Sequence, residues 1–64
     1  MNGRWVNNRY MDRYEWLATA WQAHNKKWLV SLWDYGKGDW VICDAAYDTL
    51  DEAKAVAVAL VAMR

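Results

Sequence analysis

The chain has 64 residues, eight basic and eight acidic side chains, a formal net charge of zero, 16% aromatic content and no proline. That length specifies one domain, residues 1–64, near the lower limit for folding without staples, and leaves no room for a deep active-site cleft. Cys43 is the single cysteine and His24 the single histidine, so neither a disulfide framework nor a structural zinc site can be assembled within the chain.

Charge is placed unevenly despite the neutral total. Residues 1–27 carry Arg4, Arg9, Arg13, Lys26 and Lys27 against Asp12 and Glu15, a balance of +3. Residues 28–64 carry Lys37, Lys54 and Arg64 against Asp34, Asp39, Asp44, Asp48, Asp51 and Glu52, a balance of −3. Phosphate binding draws its affinity from clustered Lys and Arg, and the acidic second half argues against it. The N-terminus "MNGRWVNNRY" has no apolar run of signal-peptide length, and the uncharged run from Ala55 to Met63 is too short to span a bilayer. A soluble, cytoplasmic protein without membrane partners is expected.

In chain order, residues 1–13 form an N-terminal segment, either flexible or lying across a sheet, in which Arg4-Trp5, Arg9-Tyr10 and Arg13-Tyr14 interleave base and aromatic. "EWLATAWQA" predicts a strand, followed by a tight turn in "HNKK" centred on Asn25, with His24 a turn residue rather than a general base. "KWLVSLWDY" and "DWVICDAAY" are rich in Val, Ile, Leu, Trp and Tyr and read as two further strands joined by "GKG". "DTLDEAKAVAVALVAMR" opens with a capping box at Thr49 and Glu52, places Asp51 and Glu52 at the positive end of the helix dipole and Arg64 at the negative end, and predicts a helix from Leu50 to Met63. Its core side is expected to carry Leu50, Ala53, Val56, Ala57, Leu60, Val61 and Met63. The fold class is therefore α+β: a three-stranded antiparallel meander packed against one C-terminal helix (βββα), with a short N-terminal segment.

Two-residue turns at Asn25-Lys26 and Lys37-Gly38 would place Leu17, Thr19, Trp21, Ala23, Trp28, Val30, Leu32, Val41, Cys43, Ala45 and Tyr47 on the helix side. The other side would then carry Trp16, Trp33, Tyr35 and Trp40, with Ala18, Ala20, Leu29 and Ile42 between them. Each Trp or Tyr brings roughly 150–250 Å² of surface, more in sum than the few hundred Å² that a monomer exposes as one apolar patch. Three covers are open: the N-terminal segment, a partner protein or second copy, and single-stranded nucleic acid stacked on the aromatics.

No serine nucleophile, carboxylate pair, metal set or phosphate loop can be drawn, so the chain reads as a non-enzyme without catalytic, cofactor or metal residues. The partner-binding set is Trp16, Trp33, Tyr35 and Trp40 as anchors, with Arg9 and Arg13 supplying charge at the rim.

The phrase "YDTLDEAKAVA" at residues 47–57, with its pentad from Thr49 to Ala53, resembles the start of the helix in the small phage-encoded inhibitor of bacterial RNA polymerase, itself a small sheet plus helix. The three strands and "T-x-x-E-A" helix are also similar to plant AP2-type and phage-integrase arm-binding domains, which read DNA with the sheet, although here acidic residues and Trp stand where those domains carry Arg and Lys. The first resemblance implies a stand-alone protein that binds a host enzyme. The expected function is accordingly a small protein-binding module, a phage-encoded inhibitor or adaptor acting on a host protein. The alternatives are a sheet-face nucleic-acid-binding module and a structural homodimer.

Overall fold

The computed structural model describes residues 3–12 and 15–63, so Arg13, Tyr14 and Arg64 lie outside the described residues. Five strands, β1 (Arg4–Val6), β2 (Arg9–Asp12), β3 (Glu15–Gln22), β4 (Trp28–Asp34) and β5 (Asp39–Tyr47), precede one helix, α1 (Leu50–Ala62). The strands form a single antiparallel sheet in the order β1-β2-β3-β4-β5. The α+β class holds, but the sheet has five strands rather than three: part of the expected N-terminal segment forms β1 and β2.

The cause is a turn signal in "VNNR". Val6 pairs with Arg9, and Asn7 and Asn8 adopt φ of 50° and 64°. Two consecutive left-handed residues are what a two-residue hairpin needs for its twist to match its strands, and Asn tolerates that conformation well. Asn8 also ties the turn to β3: its carbonyl accepts from the Ala20 amide at 2.9 Å and the Thr19 hydroxyl at 3.2 Å.

The two remaining hairpins set which side chains meet the helix. Between β3 and β4 the turn has three residues, His24 to Lys26. Ala23 N–H donates to Lys27 C=O at 2.8 Å, and Lys26 takes φ 67°. The extra residue slips β3 by one position, and a slip of one reverses every side chain. Ala18 and Ala20 therefore face the helix, opposite Leu32 and Val30, while Thr19 and Trp21 face away, opposite Ser31 and Leu29. Between β4 and β5 the turn spans Tyr35 to Gly38, with Gly38 N–H bonded to Asp34 C=O at 2.8 Å and Gly38 at φ 66°. This slips the expected pairing by two, which preserves the faces: Trp33 lies opposite Trp40.

Two irregularities complete the sheet. The β2–β3 pairing steps from Tyr10↔Ala18 to Met11↔Trp16, so Leu17 is an inserted residue. The insertion returns Trp16 to the outer side while Leu17 is buried in the core. On β5 the pairing jumps from Ser31↔Ile42 to Leu29↔Ala46, leaving Cys43, Asp44 and Ala45 opposite Val30 alone.

The core is made largely of small side chains. Ala18, Ala20 and Val30 of the sheet meet Ala53, Ala57 and Val61 of the helix, flanked by Tyr10 and Leu17. Alanines at i and i+4 let the helix approach the sheet closely. Trp5 and Tyr10 extend this layer under the N-terminal hairpin with ring centroids 5.2 Å apart. The Tyr10 ring crosses Gly3 so closely that a Cβ there would stand 2.2 Å from Cζ, so the position needs glycine. Because β1 and β2 widen the sheet, Val58 also packs on the core and Lys54 places its ammonium 5.2 Å from the Trp5 ring centre. Met63, expected on the core side, is the C-cap residue and is exposed. Thr49 caps the helix as expected, its hydroxyl accepting from Glu52 N–H at 3.2 Å. Among the described residues, no helix is long and apolar enough to cross a membrane.

Candidate partner-binding face

One helix covers one face of the five-stranded sheet, and none of the described elements lies over the other. Register assigns Arg4, Val6, Arg9, Met11, Thr19, Trp21, Leu29, Ser31, Trp33, Trp40, Ile42 and Ala46 to that outer face, and the inserted Leu17 adds Trp16. Trp16 is 39% exposed and Ile42 56%, and they stand on one contiguous face with the other outward tryptophans, which is what makes their exposure informative.

A groove of about 360 Å³ runs across this face, lined by Arg9, Trp16, Thr19, Trp33 and Trp40. Trp33 and Trp40 stand edge-to-face across the β4–β5 pair with centroids 5.2 Å apart, a favourable aromatic geometry. Across β3, the Arg9 guanidinium lies over the Trp16 ring at 4.9 Å. Tyr35 projects from the turn, its ring edge-on to Trp33 at 6.3 Å. Its hydroxyl lies 3.3 Å from the Glu15 carboxylate and 3.2 Å from the Trp16 carbonyl, which fixes the turn against the start of β3. Beside the groove, Trp21 Nε1–H donates to Ser31 Oγ at 2.9 Å, and this bond satisfies the one buried polar side chain among the described residues.

The structure thus brings Arg9, Trp16, Trp33 and Trp40 together around one groove with Tyr35 at its end, whereas Arg13 lies outside the described residues. Trp16 reaches the outer face for a reason the sequence reading did not contain: the turn slip and the inserted Leu17 each shift β3 by one, and at Trp16 they cancel. Thr19 and Trp21 were expected on the helix side and the turn slip moves them outward. The available signal for Thr19 was "VNNR", since a hairpin there places Arg9 beside it.

The cations of this face come from β1 and β2. Asp12, Asp34 and Asp39 fall on positions alternating with outward-facing neighbours, and the Glu15 carboxylate at the Tyr35 end of the groove lies 3.3 Å from the Tyr35 hydroxyl, so the outward cations of β1 to β4 are Arg4 and Arg9. Among the described residues the one ion pair joins Lys27 to Asp48, away from the groove, and neither Arg4 nor Arg9 has an acidic partner. No group of His, Cys, Asp and Glu among them is arranged to hold a metal ion. Comparison with protein-family models, with curated proteins and with solved structures finds no match.

Proposed function

We propose that the chain is a small protein-binding module that acts by docking its outer sheet face on another protein. The observation that carries this reading is the groove of Trp16, Trp33, Trp40 and Arg9 on a face that the helix leaves open. Trp and Arg dominate binding hot spots because each offers a large contact area, and here the contact between Arg9 and the Trp16 ring restrains the otherwise flexible arginine before any partner arrives. The class of action is that of an inhibitor or adaptor, with a phage-encoded protein acting on a host enzyme as the form implied by the resemblance at residues 47–57.

Tryptophan accessibility tests this first. Iodide and acrylamide quenching over a dilution series should find groove tryptophans accessible at every concentration. Pull-down from the source cell should then retain a protein on the wild type that both Trp33→Ala and Trp40→Ala lose, and the complex should survive moderate salt. Full shielding of the tryptophans in the dilute monomer refutes the open face. Shielding that disappears on dilution assigns the face to a second copy of the chain. Binding that collapses between low and moderate salt assigns it to a polyanion.

A further inference from the structure

We infer that the groove recognises a protein segment bearing a carboxylate beside an apolar side chain, with the carboxylate seated on Arg9 and the apolar group between Trp16 and the Trp33–Trp40 pair. This rests on the reading of the outer face as a protein-docking surface and specifies what the docked segment must carry.

Arg9 is the central observation. The Arg9 guanidinium carbon lies 4.9 Å from the Trp16 ring centre, a cation–π contact that does not consume the guanidinium N–H donors. Arginine presents its donors as a rigid fork that matches a carboxylate at two points, and stacking removes the entropy that a free side chain would lose on binding. Arg9 makes no ion pair among the described residues, although Asp12 and Glu15 lie close in sequence. Two contacts explain why: Asp12 belongs to a position that alternates away from the outer face, and the Glu15 carboxylate accepts from the Tyr35 hydroxyl. Arg4 shares the outward orientation, two positions from Val6 on β1, and adds a second cation with no outward acid beside it.

The apolar half of the ligand follows from the walls. The walls are the side chains of Trp16, Trp33 and Trp40, so the groove offers mainly aromatic surface. At about 360 Å³ it holds one or two side chains, not a domain core. A nucleic acid would satisfy Arg9 through phosphate, but two outward arginines are few, the Glu15 carboxylate lies at the Tyr35 end of the groove, and on β5 Asp44 alternates with the core-packed Cys43. A continuous polyanion meets those acids. A single carboxylate does not.

The test uses the full chain labelled with ¹⁵N, titrated with 3-phenylpropionate and with the neutral 3-phenylpropionamide, reading the indole N–H signals. The acid should shift the signals of Trp16, Trp33 and Trp40 with about tenfold tighter binding than the amide, the gain expected of a carboxylate–guanidinium pair. Arg9→Gln should bring the acid to the affinity of the amide and leave the amide unchanged. Equal binding of the two probes at the indoles overturns the carboxylate assignment while leaving an aromatic docking face in place. Failure of both probes to move the indoles overturns the assignment and the docking face together. Oligothymidylate that shifts the same signals more tightly than the acid reassigns the groove to nucleic acid. The acid–amide comparison on the unaltered chain decides the matter even if Arg9→Gln does not fold.

Discussion

Val30 and Ile42 provide a direct measurement of how differently the two sheet faces are buried. Val30 is the largest fully buried side chain, at 0% exposure between sheet and helix, whereas Ile42 on the neighbouring strand is 56% exposed on the outer face. Val30→Ala removes two carbons, about 1.6 kcal/mol of transfer free energy at about 0.8 kcal/mol per buried carbon. The void adds about 1 kcal/mol, because cavities cost about 24 cal/mol per Å³ and the lost methyls occupy roughly 45 Å³. The total, about 2–3 kcal/mol, is a large share of the roughly 3–10 kcal/mol expected of a chain this size, and it should lower Tm by about 10–20 °C. Ile42→Ala removes three carbons, but with under half of the side chain buried and no closed cavity left behind, its cost is about 1 kcal/mol. Both changes lose a similar amount of strand propensity, so the difference between them isolates burial. Equilibrium urea denaturation of dilute protein measures both, with the slope checked for constancy. If Ile42→Ala costs as much as Val30→Ala, the outer face is packed in solution and the open groove does not exist.

Two further substitutions test local geometry. Lys26→Gly should stabilise the chain by up to about 1 kcal/mol, because glycine relieves the left-handed backbone at φ 67°. Denaturation midpoints that stay equal or fall would mean that the three-residue turn is misassigned. Thr49→Ala should cost about 1 kcal/mol through loss of the hydroxyl that accepts from Glu52 N–H, and Thr49→Ser should recover most of it.

The elements legible in the sequence were those specified by local chemistry. Thr49 and Glu52 announce the helix start, and the alternation of large β-formers announces β3 to β5. Register was less legible, because it depends on turn length, and Lys26 adopts a conformation more typical of Gly or Asn. That one residue reverses Ala18, Thr19, Ala20 and Trp21 relative to expectation. The second hairpin differs by two residues instead of one, so Trp33 and Trp40 remain on the expected side. The N-terminal hairpin was legible in principle at Asn7-Asn8, but its three-residue and four-residue strands are too short to show convincing alternation. The inserted Leu17 has no sequence signature, since it arises from how β2 and β3 pair.

The irregular pairing of β5 also bears on fibre growth. An exposed edge strand is a template on which another chain can add in register, and a flat, regular edge invites it. On β5 two extra residues opposite Val30 bend the strand, and Asp39 and Asp44 place negative charge along it. At the opposite edge, β1 has three residues and carries Arg4. Neither border offers a long, even row of backbone donors and acceptors to an incoming strand. A chain with this much exposed tryptophan is thereby guarded against polymerising through its backbone, and contact with other molecules is directed to side chains in the middle of the sheet.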